Sequence, residues 1–223
     1  MKVRRLRWIF GILAGVSYIV ATQISGALGI SAEWTARGYR FAGGTAPWAL
    51  GWAALILCMY VLLMAPASLA VRQPLPGLLR RFLAFWVDFI LGMSVCGPVV
   101  GIVPALVEWQ RTGIFQWSFE RTSQAPGDLA MTVVLIPIVF ASLMLYYAVP
   151  IVRRRPSPGA CVLGYQILPD AGWELTFSQA LSRTFAGFLA VAGCWLAPFV
   201  AREPKAGKFW LDRLFHTHAV RLE

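Results

Sequence analysis

Carboxylates and histidines are scarce in this chain. Its 223 residues hold 10 Asp+Glu and 2 His, and charged residues of all kinds make up 13%. A soluble domain carries about 25%. His216 and His218 stand two apart near the end, and the four cysteines (Cys58, Cys96, Cys161, Cys194) form no Cys-x-x-Cys pair. That leaves no Cys/His set with zinc spacing and excludes a zinc-ribbon or thioredoxin-type reading; the cysteines are expected to act as small buried hydrophobes. There is no nucleophile elbow, no His-Glu-x-x-His and no phosphate-cradling glycine loop, so neither an enzyme nor a bound cofactor is expected.

What the chain has instead is apolar residues, 58% of the total, gathered in long runs. Residues 8–30, 47–71, 82–107 and 129–152 each meet the roughly 20 apolar residues a spanning helix needs. Residues 178–201 form a fifth run, interrupted by Arg183, Gly187, Gly193 and Pro198. The expected fold is all-α: four transmembrane helices, a fifth segment that re-enters or spans, and a short cytoplasmic β-hairpin. Re-entry is the favoured of the two, because bent backbone is tolerated at depth when buried against protein. The start, Met1-Lys-Val-Arg-Arg-Leu-Arg7, resembles a signal-peptide basic region, but the run that follows is too long for a cleaved one and reads as an anchor.

The net charge of +10 comes from 20 Lys+Arg. These residues flank the apolar runs, which points to topology and to anionic lipid headgroups rather than to nucleic acid. Lys2, Arg4, Arg5 and Arg7 put the N-terminus in the cytoplasm. Arg72, Arg80 and Arg81, then Arg153, Arg154 and Arg155, mark two further cytoplasmic connections. The opposite segments, about 31–46 and 108–128, read as outer loops, the second rich in interfacial aromatics (Trp109, Phe115, Trp117, Phe119). Arg202, Lys205, Lys208, Arg213 and Arg221 argue for a cytoplasmic C-terminus as well. Arg153–Arg155 read first as a stop-transfer cluster and second as a contact for headgroups or a partner. The multi-pass chain is assigned to the bacterial cytoplasmic (inner) membrane.

Arg81-x-x-Ala84-x-x-x-Asp88 sets an arginine and a carboxylate two helical turns apart, on nearly one face. A charge inside hydrocarbon costs roughly 2.5–3.5 kcal/mol on insertion scales, so Asp88 should have a partner. Pro169-Asp170-Ala171-Gly172 is a turn signal after Val162–Leu168, and Trp173–Thr176 follows it. His218–Leu222 is a candidate partner strand.

Taken together these motifs resemble the RDD family of bacterial membrane proteins, named for an arginine and two aspartates, over about residues 77–223. Arg81, Ala84 and Asp88 match its first motif. Gly159 and Gly164 match a cytoplasmic glycine motif, in which Ala160 stands where the family has lysine. Arg183 matches an arginine after the strand, and Asp212, Arg213, Thr217 and Val220 match the last motif. Residues 1–76 read as an added two-helix unit. The resemblance implies a compact helical membrane domain with both ends cytoplasmic. Some members are linked to cation/proton exchange or transport, and others accompany larger membrane machinery.

Two functions follow. One is an accessory or assembly subunit of a larger membrane complex. The other is a small homo-oligomeric transporter coupling cation and proton exchange through Arg81, Asp88 and Asp212. In the first, that trio is a structural ion-pair set; in the second, it is a proton or cation site. Asp88 is the one carboxylate well inside a span, which favours the accessory role.

Overall fold

The computed structural model describes residues 2–23, 28–36, 38–64, 71–72, 76–123, 126–170, 175–193 and 209–222. The chain is mostly helical. Its elements are α1 (Lys2–Gln23), β1 (Leu28–Thr35), β2 (Gly38–Thr45), α2 (Pro47–Met64), β3 (Val71–Arg72), α3 (Leu78–Thr112), β4 (Ser118–Ser123), α4 (Pro126–Val152), α5 (Pro158–Leu163), β5 (Tyr165–Pro169), α6 (Phe177–Ala192), α7 (Trp210–Leu214) and β6 (Thr217–Leu222).

Among the described residues two helices are long and apolar enough to cross a membrane, over Leu79–Thr112 and Ala130–Val152; the apolar stretch Pro47–Leu63 is shorter. They keep large apolar side chains outward: Val133 is 61% exposed and Ile136 57%. An outward apolar belt with satisfied backbone inside is what a hydrocarbon solvent selects. Pro98 and Pro104 lie within α3, where the helix nonetheless continues.

The described residues group into two compact units. The first takes Met1–Ile12, Tyr60–Phe89 and Met144–Glu223; the second takes Leu13–Met59 and Ile90–Leu143.

In the first unit, β5 and β6 pair antiparallel from Tyr165↔Arg221 to Pro169↔Thr217, and β3 adds to the other edge of β6, giving the order β3-β6-β5. The expected partner strand at 218–222 is therefore present. Its mate starts later than expected, because Val162 belongs to helix α5. Ser157 caps that helix and Pro158 opens it with its φ already set. Gly164 closes it at φ 69°, a conformation that glycine adopts without strain. Thr176 and Gln179 form a reciprocal capping box at the start of α6. Ala180, Arg183 and Thr184 share the buried face of α6. Tyr60 donates to the Tyr146 carbonyl (2.8 Å) and stacks on its ring, and Tyr147 donates to the Phe85 carbonyl (2.8 Å).

The second unit corrects the expectation of plain outer loops. Residues 28–35, 38–45 and 118–123 form an antiparallel sheet in the order β1-β2-β4. The described residues are thus mostly helical, as expected, with two small three-stranded sheets where one hairpin was expected. Phe41 is fully buried and meets Phe119 across the β2–β4 pair, with ring centroids 5.7 Å apart. Arg40 and Glu120 make an exposed ion pair on the same strands. Trp109, Phe115 and Trp117 form a chain of edge-on ring contacts.

Of the cysteines, Cys96 and Cys161 are buried as expected, while Cys58 is exposed. Cys194, Trp173, Glu174, the Ala171-Gly172 turn and residues 194–208 lie outside the described residues. So does the end of the fifth apolar run, where re-entry and crossing would differ.

Candidate functional site

The site is built on the first turns of α3. Ala84 is fully buried there and packs with Ala160, Tyr165 and Ala219. Such small side chains let the start of α5 and the sheet come close to the helix. Gly159 makes the closest approach. A Cβ on it would meet the Ala84 carbonyl oxygen and would stand 2.8 Å from the Asp88 carboxylate. The glycine of the motif is thus a steric requirement of this packing.

Asp88 is 3% exposed. Gly159 donates its backbone N–H to Oδ1 (2.6 Å), and the Ser157 hydroxyl donates to Oδ2 (2.5 Å). Ser157 in turn accepts from the Ala160 N–H at 3.2 Å. One carboxyl thereby fastens α3 to the beginning of α5. Its partners are a hydroxyl and a backbone amide rather than the arginine seven residues before it.

Arg81 reaches Asp212 instead. Its Nη1 donates to Oδ2 at 2.5 Å, and its guanidinium lies 4.2 Å from the Phe209 ring centre. Arg183, from α6, donates through Nη2 to the other oxygen of Asp212 (2.8 Å) and through Nε to Thr217 Oγ1 (3.2 Å). Thr217 donates weakly to Asp212 at 3.5 Å. Asp212 is completely buried and ties α3, α6, α7 and β6 together. Burial alone would push its carboxyl upward; Arg183 and Arg81 outweigh that and hold it below the usual carboxylate range. Burial, followed by the Asp88 charge, pushes the Tyr165 phenol well above its ordinary value. Burial pushes the Cys161 thiol up to about 12, so it stays protonated and unreactive.

The expected trio therefore splits. Arg81 and Asp212 meet directly, Asp88 has its own partners, and Arg183 and Thr217 join the ion pair. Arg81, Asp88 and Arg183 all line one cavity of about 510 Å³. Ala160, where the resemblance expects lysine, is 3% exposed and also lines it.

The arginine triplet divides as well. Arg153 and Arg154 are exposed. Arg154 sits in the left-handed region at φ 51°, and its carbonyl accepts from Gln166 Nε2 at 2.5 Å. Arg155 is half-buried and turned to the cavity. His216 is exposed, and His218 Nδ1 lies 2.9 Å from Asp170 Oδ1. No cluster of metal-ligating side chains occurs among the described residues.

Sequence reasoning assigned Arg7 only to topology and did not single out Ser157. Arg7 Nε donates to the Cys161 carbonyl at 2.8 Å, and its guanidinium occupies the space that a side chain at Gly164 would need. The signal for Ser157 was present: Ser157-Pro158 is a cap followed by a helix-opening proline.

The buried ion-pair clamp lies at the start of α3, one of the helices long and apolar enough to cross a membrane. The RDD family model matches residues 75–214, well over half of the chain, and the chain belongs to that family. No curated protein matches the chain, and no solved structure does.

Proposed function

We propose that the protein is an accessory or assembly subunit of a larger membrane complex, with no catalytic role. In this reading α1–α4 span the bacterial inner membrane, the stretch 178–201 enters and returns, and both termini are cytoplasmic. The basic flanks of the apolar runs support that orientation.

The observation that carries the reading is that both motif carboxylates are already engaged in holding the fold. Asp88 is bonded by Ser157 and Gly159, and Asp212 by Arg81 and Arg183. A coupling carboxylate in an exchanger has to release its partners each time it takes a proton or cation. Here release would open the joint between α3 and α5. The motif charges then serve as fasteners, and the apolar exterior is the working surface.

Helix α1 offers one candidate face for a partner. Trp8 is 69% exposed, Ile12 62% and Ile19 60%. Gly15 lies among them in sequence, and a Cβ added to it would meet open space. Spacing of four, three and four residues puts these four positions on one stripe, with a small residue where a helix can approach closely. Purification in mild detergent with native mass determination tests the proposal. Larger membrane proteins should accompany the wild type, and Gly15→Trp should release them while the melting temperature holds.

The second reading, proton-coupled cation exchange by a homo-oligomer, is favoured by a different fact: Asp88 lines a cavity. It requires the isolated protein to move protons when a cation gradient is applied.

A further inference from the structure

The cavity beside the clamp carries an inference independent of the accessory reading. Its volume, about 510 Å³, falls in the range of small-molecule sites. Most of its wall is apolar, with Phe82, Phe85, Phe188 and Val191 among the contributors. Among the described residues its charged lining is Arg81, Arg155, Arg183 and Asp88. Asp212 engages both Arg81 and Arg183 from outside the cavity lining.

Arg81 is the distinctive member. Nη1 is spent on Asp212, but among the described residues Nε and Nη2 are buried and have no hydrogen-bond partner. Those two nitrogens form the side-on fork of a guanidinium, whose parallel N–H groups match two oxygens of a carboxylate or phosphate. Buried donors left unbonded are costly, so a ligand that supplies oxygens there gains that free energy back. Solvent does not reach either nitrogen. An arriving headgroup therefore shifts the wall around Arg81, where the Phe209 ring lies against the guanidinium.

We infer that this cavity binds one single-chain anionic amphiphile, with its oxyanion head on the Nε/Nη2 fork of Arg81 and its chain among the apolar side chains. The shared chemistry is an oxyanion joined to a hydrocarbon tail; a fatty acid and a lysophospholipid both supply it.

Gly187 gives a clean way to close the cavity. It lines the wall from α6, and a Cβ added to it meets nothing within 4 Å. Gly187→Leu fills the space and raises helix propensity, so the variant should fold. Arg81→Lys keeps the positive charge facing Asp212 but removes the fork.

The experiment is native mass spectrometry of the full-length protein in neutral maltoside micelles, titrated in turn with oleate, 1-oleoyl lysophosphatidate, mono-oleoylglycerol and inorganic phosphate. One equivalent of oleate or of the lysophosphatidate should bind at least tenfold more tightly than the neutral lipid or free phosphate. The tighter of the two assigns the head as carboxylate or phosphate. Gly187→Leu should weaken that binding at least tenfold without lowering the melting temperature, and Arg81→Lys should abolish the preference over mono-oleoylglycerol. Equal binding of the neutral lipid, binding of phosphate alone, or binding unchanged in both variants would overturn the assignment.

Discussion

Gly159 donates its backbone N–H to the Asp88 carboxylate at 2.6 Å, and the same carboxylate stands 2.8 Å from where a Cβ on Gly159 would be. One position thus both needs the carboxylate and excludes any side chain that would push it away.

Gly159→Ala should therefore destabilise the fold. The obstructing atoms are the Ala84 carbonyl and the carboxylate itself, neither of which is the loose end of a flexible side chain. Overpacking of this kind costs typically 1–3 kcal/mol. A thermal melt of the detergent-purified protein measures it, with Gly187→Ala as an internal control in the open position on α6. Equal melting temperatures for the two variants would remove the steric argument.

The two substitutions of Asp88 should differ. Asp88→Asn keeps an oxygen for the Gly159 N–H and turns an amide toward Ser157, whose hydroxyl can accept. Asp88→Ala leaves the buried Gly159 N–H without its partner, at about 1–3 kcal/mol, and the half-buried Ser157 hydroxyl loses its acceptor as well. The alanine variant should melt well below the asparagine variant. Because Arg81 bonds Asp212, Asp88→Asn strands no cation.

Asp212 makes stability depend on pH in a definite direction. Its folded pKa is depressed below the unfolded carboxylate value of about 3.9. The unfolded state then binds the proton more readily, so the contribution is present above that value and is lost as pH falls below it toward the folded pKa. Asp212→Asn should be less stable at neutral pH by about 3–5 kcal/mol, the cost of stranding buried charge. It should also lack this acid-dependent loss. Melting temperatures of both proteins from pH 3 to pH 7 decide it; parallel curves would mean that Asp212 is not held as described.

Much of this site was legible because its residues sit in short motifs with helical spacing. Arg81, Ala84 and Asp88 fall on one face of a helix, and the expected partner strand at 218–222 pairs with Tyr165–Pro169. What the sequence hid was pairing between distant segments. Helical spacing put Arg81 and Asp88 on one face, but partners are set by tertiary approach, and the closest approach brought Ser157 and Gly159 to one and Asp212 to the other. The β1-β2-β4 sheet was missed because β2 carries Gly38, Gly43 and Gly44, which read as loop, and because β4 joins it from beyond α2 and α3. Arg7 looked like any basic flank until the bare backbone at Gly164 gave it a seat.

The central claim is that the motif carboxylates fasten the fold and do not carry protons. Its most direct test is proton movement by the isolated protein in sealed vesicles, followed with an internal pH dye while a sodium or potassium gradient is imposed. The fastening account predicts no cation-dependent flux above protein-free vesicles, for the wild type and for Asp88→Asn alike. A cation-dependent proton flux that disappears in a folded Asp88→Asn variant would contradict it.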